Sequence, residues 1–301
     1  VGGVLDKELV VVTGKGGVGK STVAAALGLA AARRGMRAIV AEVAARDDVT
    51  RALAGSEAAP FTERELAGGL HHISIEPELA MQEYLVDQLP VRALADVLVA
   101  SRVFTYLTAA TPGLRELLTI GKVWELAQPD RRTPGAHPYD IVILDAPATG
   151  HGVAILSAPR TFAEAARVGP IARQGGKIHR MLSDPARTGV VAVSLAEEMP
   201  VNETLTLGAA LREQMGLDLD LVVVNGLLPD RFTDAEARAL EAAGARAALS
   251  AHVRARAQRG EVERLRAGLD GRPTAELPLV FADALDAGAL EALSRELEVA
   301  L

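Results

Sequence analysis

The sequence contains no cysteine, which excludes disulfides, thiolate zinc sites and iron–sulfur ligation. Aromatic residues are scarce, with five Phe, three Tyr and one Trp in 301 residues, although 49% of the chain is hydrophobic. Alanine-rich apolar content with so few rings suits helices packed closely on a parallel sheet and argues against a β-sandwich. No run approaches the ~20 uncharged apolar residues of a membrane span, so stable membrane insertion is not expected. No signal-peptide pattern opens the chain, and a cytoplasmic location is the expectation. The formal net charge of −7 argues against a general nucleic-acid surface. Arginines crowd residues 246–266, but Glu261 and Glu263 interrupt them, and the stretch reads as a solvated helix face. Histidines 71, 72, 137, 179 and 252 have no metal-site spacing and read as structural or exposed.

What is present is an alternation. Apolar β-type runs at 8–13, 36–42, 71–75, 139–145, 189–194 and 219–225 are separated by helical stretches. This predicts an α/β fold, a doubly wound and mostly parallel sheet forming one domain over 1–301. Helical spacing interrupts the alternation at about 76–130 and again at 159–182, which predicts a small inserted helical subdomain. Pro90, Pro112-Gly113, Gly169-Pro170 and Gly175-Gly176 read as its breaks. Ligands of such sheets sit at the carboxyl ends of the strands, where the loops carrying Lys20, Glu42, Asp145 and Asn225 emerge.

The most specific stretch is Gly14-Lys15-Gly16-Gly17-Val18-Gly19-Lys20-Ser21-Thr22, set between a β-type run and an Ala/Leu helix former. Strand, glycine loop and helix start is the context of a phosphate-binding loop. The glycines let successive backbone N–H groups turn inward around a polyphosphate, at the positive end of the following helix. Lys20 is expected to reach the β- and γ-phosphates, and the Ser21 hydroxyl to ligate Mg²⁺. Asp145, closing a hydrophobic strand, is expected to hold the same Mg²⁺ through a water. Lysine occurs only at 7, 15, 20, 122 and 177, so two within one loop look like a chemical demand.

The Gly-Lys-Gly-Gly form with Lys15 resembles the deviant P-loop of a dimeric ATPase group. That group includes the arsenical-pump (ArsA-like) ATPase, the tail-anchored-protein targeting ATPase, nitrogenase iron protein and the ParA/MinD partition proteins. The resemblance implies that Lys15 reaches across a face-to-face dimer to the partner's phosphates. Asp145-Ala146-Pro147-Ala148-Thr149-Gly150-His151 is similar to the switch II of the arsenical-pump and targeting ATPases, with Ala146 in place of a Thr. Gly150 and His151 are then switch residues reporting nucleotide state. Glu42 falls where those relatives carry a water-positioning Asp, and Val43 where they carry a Pro. Asp47 and Asp48 read as helix caps and as fallback carboxylates. Asn225 and Pro278 fall where the family lines the adenine.

The family reading implies an ATP-hydrolysing switch with Mg·ATP at the interface of a homodimer or of a heterodimer with a paralogue, acting on an unknown client protein. Without cysteine the chain has no ligands for the interface zinc of the targeting ATPases or for the iron–sulfur cluster of nitrogenase iron protein, so neither is expected. Two other readings stay open. One is a non-hydrolysing regulatory subunit, suggested by Glu42 and Val43; the other is a ParA/MinD-like positioning ATPase, against which the acidic 285–301 tail and the charge balance argue.

Overall fold

A computed structural model describes residues 3–43, 46–57, 59–88, 113–133, 135–147, 152–166 and 169–301. Among them, eight strands form one sheet: β1 Leu9–Gly14, β2 Ala38–Val43, β3 Arg64–Ala67, β4 Leu70–Ile75, β5 Ile141–Asp145, β6 Thr188–Leu195, β7 Leu221–Leu227 and β8 Thr274–Pro278. Their order is β3-β4-β2-β5-β1-β6-β7-β8, and every pairing is parallel except β3 with β4. The central strands are buried along their whole length, which is why they read as unbroken Val/Ile/Leu runs rather than alternating ones.

Helices cover both faces. On one side α1 (Lys20–Arg33), α2 (Asp48–Ala54) and α10 (Ala287–Glu298) pack on Val10, Val12, Val40, Ile143 and Val191. On the other side lie α4 (Leu114–Leu126), α5 (Gly152–Ala166), α6 (Pro170–Leu182), α7 (Glu198–Met215) and α9 (Arg246–Gly268). They pack on Leu9, Val11, Ile73, Val142, Leu144 and Val190. Two further helices are α3 (Pro77–Gln88), against α4, and α8 (Asp234–Ala242), against α9.

Strands β3 and β8 lie outside the six runs visible in the sequence. β3 is an exposed edge of polar composition, Arg-Glu-Leu-Ala, and β8 is five residues that end in Pro. The helical insertion also differs in detail. α5 begins at Gly152 and carries Pro159 inside it, and α6 runs through Gly175-Gly176 unbroken. A Cβ on Gly175 would lie 2.7 Å from the Pro159 carbonyl oxygen. Gly175 is therefore there to let α5 and α6 touch backbone to backbone, not to end a helix.

Beneath α4 lies a buried ionic chain. Lys122 contacts Glu83 at 2.8 Å and Glu125 at 2.9 Å, and Arg131 contacts Glu125 at 3.0 Å and Glu63 at 2.6 Å. Its positive partners hold the Glu125 carboxyl below the usual carboxylate range although burial pushes the other way. Glu125→Ala leaves Lys122 and Arg131 each with one remaining carboxylate. The expected loss is about 2 kcal/mol, below the value for a fully orphaned buried charge, read as a lower urea midpoint at unchanged m-value.

Candidate nucleotide-binding site

The site sits where β1, β2, β5, β6 and β7 end. Gly14 closes β1 at φ 149°, and a Cβ there would lie 2.3 Å from the Val193 carbonyl oxygen of β6. Gly19, at φ 93°, would drive its Cβ to within 2.1 Å of Asn225 Nδ2. Both positions demand glycine for conformation and for space. Between them Lys15, Gly16, Gly17 and Val18 form the loop; Gly16 and Gly17 are exposed and Val18 is buried. No side chain caps α1 at Gly19, so no capping bond takes up its first N–H groups, which is the arrangement of helix N-termini that bind anions.

Lys20 is buried and donates from Nζ to the Lys15 carbonyl oxygen at 2.9 Å. Burial pushes its pKa down; Asp145 opposes that shift and Arg46 adds to it. The Ser21 hydroxyl donates to Asp145 Oδ2 at 2.6 Å, across from α1 to the end of β5. Arg46 donates from Nη2 to the same Oδ2 at 3.1 Å and to the Asp145 carbonyl oxygen at 3.3 Å. Asp145 is fully buried, and its Oδ1 has no hydrogen-bond partner among the described residues. Burial raises its pKa to about 6; Arg46, the Ser21 hydroxyl and Lys20 pull it down, while Glu42 pushes it up. Ser21 and Thr22 open onto a cleft of about 190 Å³ walled by Asp48, Val49 and Leu285.

Glu42, at the end of β2, is also fully buried. Its Oε1 accepts from the Asp48 N–H and its Oε2 from the Val49 N–H, both at 3.1 Å, and Oε2 lies 2.8 Å from His72 Nε2. Both carboxylate oxygens therefore serve the start of α2 and a buried histidine. Asn225, in β7, donates from Nδ2 to the Val18 carbonyl oxygen at 2.9 Å and so braces the loop. Pro278 ends β8 in register with Leu227. Lys15 Nζ lies 2.9 Å from Glu203 Oε1 on α7. Gly150 and His151 lie outside the described residues.

A profile of the anion-transporting ATPase family matches residues 7–174 and 171–297. The chain belongs to this family. It is 32% identical over 228 residues to ATPase BagA of Mycobacterium tuberculosis, covering 74% of this chain and 66% of that one. It is 27% identical over 251 residues to an arsenical pump-driving ATPase of Acidiphilium multivorum, covering 77% and 41%. To an arsenical pump-driving ATPase of Escherichia coli it is 27% identical over 310 residues, covering 94% and 48%. The matches thus span less than two thirds of the relative in each case, and less than half of the pump-driving ones.

An ATPase site needs oxygen donors for a hard cation. Oxygens of that kind meet at Ser21 Oγ and the Asp145 carboxylate, whose buried Oδ1 has no hydrogen-bond partner among the described residues. Among the described residues no cluster of three His, Asp or Glu forms a separate metal site, and no helix is long and apolar enough to cross a membrane. Arg46, Glu203 and His72 join the site without a sequence signal of their own. Only the fold brings His72, on β4, beside Glu42, and Arg46 beside Asp145.

Proposed function

We propose that the chain is a Mg²⁺-dependent ATP hydrolase that works as a nucleotide switch, with ATP at the carboxyl edge of the sheet between two subunits. The observation that carries this reading is the Ser21–Asp145 contact beside Lys20, at the mouth of a glycine loop whose helix is left uncapped. Ser21 and Asp145 would hold the metal, which supplies charge neutralisation at the phosphates. Lys20 turns from the Lys15 carbonyl to the phosphates, and the loop N–H groups orient them. Asn225, already against the loop, and Pro278 flank the base.

Lys15 fits a role in trans. Its ion pair with Glu203 joins side chains that are 36% and 39% exposed, and such a pair contributes only about 0–1 kcal/mol. Releasing it for a phosphate on a second copy or a paralogue therefore costs little. The helices α3 to α6 are the responding element, and an unidentified client protein is its target. They line an apolar pocket of about 360 Å³, with Met81, Leu117, Leu118, Phe162 and Ile178 among its walls.

Phosphate release at saturating Mg·ATP, measured with oligomer mass, tests the reading. The expected result is turnover, an ATP-favoured dimer, and a loss of both in Lys15→Ala without a change in melting temperature. Tight ATP binding with no turnover in the unsubstituted chain would favour the regulatory-subunit reading instead.

A further inference from the structure

We infer that Arg46 is a resident cation of the metal site: it holds Asp145 in the nucleotide-free chain and leaves it when magnesium nucleotide binds. The inference rests on the hydrolase reading above and adds to it a residue that controls metal entry.

Asp145 is fully buried, and a buried carboxylate requires a counter-charge. Lys20 is turned to the Lys15 carbonyl, so its ammonium makes no direct contact with Asp145. The guanidinium of Arg46 supplies the contact, 3.1 Å from Oδ2. Its other bonds, to the carbonyl oxygens of Asp145 at 3.3 Å and Val43 at 3.4 Å, are long. The side chain is 33% exposed, so solvent already reaches the group. Arg46 thus has one charged partner, Asp145 Oδ2, and otherwise only long bonds to carbonyl oxygens.

That oxygen is also the one bound to Ser21 Oγ, which places Arg46 on the carboxylate edge shared with the hydroxyl donor. Two cations on one buried carboxylate repel each other, and Lys20 adds a third positive charge nearby. Arg46 and a metal are therefore alternative partners of Asp145. Arg46 lies in the link between β2 and α2, and Glu42 pins the start of α2 to the end of β2.

The test is a titration of MgCl₂ against the full chain with saturating ADP, followed by thermal melting. ADP removes hydrolysis from the readout. With competition at Asp145, Arg46→Gln needs roughly tenfold less Mg²⁺ for half-maximal stabilisation, the scale of a released charge-assisted hydrogen bond. It also melts lower than the unsubstituted chain in EDTA, because Asp145 has lost its partner. Arg46→Lys, which keeps the charge without the planar fork, shifts the half-point the same way by a smaller factor and carries the test if the Gln variant does not fold. Half-points that are unchanged or raised in either folded variant overturn the inference and leave the hydrolase reading standing. Absence of any Mg·ADP stabilisation in all three proteins overturns both.

Discussion

In buffer free of metal and nucleotide, Asp145→Asn is expected to melt a few degrees above the unsubstituted chain near pH ~8 and to show no such gain near pH ~4.5. The sign follows from the raised pKa. Burial lifts the Asp145 carboxyl from 3.8 to about 6, so between those values the folded chain binds a proton that the unfolded chain has lost. Stability contributed by this group is then greatest in acid and declines as pH rises through that window. The full shift corresponds to about 3 kcal/mol, and an uncharged amide of the same shape removes that cost. Arg46 loses its partner in the variant, but its exposure limits the penalty. Adding Mg·ATP is expected to reverse the order, because the chain that retains the carboxylate binds the magnesium nucleotide more tightly and is stabilised more by it. Phosphate release is expected to fall by about 10²- to 10³-fold, the scale of several kcal/mol of lost charge stabilisation. A variant less stable at both pH values would mean that the Arg46 and Ser21 contacts outweigh the burial cost.

Such a trade of stability for chemistry bears on what the residue string displays. The placement of the glycine loop and of Asp145 was legible because each follows an unbroken apolar run, and both fall at strand ends in the structure. The parallel sheet was legible because its inner strands have no solvent face to alternate. β3 and β8 were not, since an edge strand of Arg64-Glu65-Leu66-Ala67 has the composition of a loop and is defined by its pairing with β4. Gly175 illustrates a different limit: a glycine needed for a helix contact and a glycine that ends a helix look identical in one dimension. Arg46 and His72 illustrate a third. Their partners lie 99 and 30 residues away, and no local pattern encodes those meetings.

Glu42→Ala is expected to cost about 3–5 kcal/mol of stability. The estimate sums two buried groups left without their acceptor, the N–H of Val49 and the imidazole of His72, at about 1–3 kcal/mol each, and a smaller share for the part-buried N–H of the exposed Asp48. α2 has only seven residues, and Asp47 at its N-cap makes no side-chain capping bond, its Oδ1 pairing with Arg51 instead. A strand carboxylate one element away thus does the work that a capping residue usually does. Glu42→Gln keeps one acceptor oxygen but turns an amide donor toward other donors, and is expected to cost about 1–2 kcal/mol. Chemical denaturation of the pair checks both values. Phosphate release by the Gln variant then separates position from chemistry. With both oxygens engaged by α2 and His72, the expected fall is less than about tenfold, arising from a displaced α2 beside Ser21 and Thr22. A fall of about 10²-fold or more with the fold intact would instead make Glu42 the group that orients the attacking water, which would require α2 to give up its cap each time the nucleotide binds.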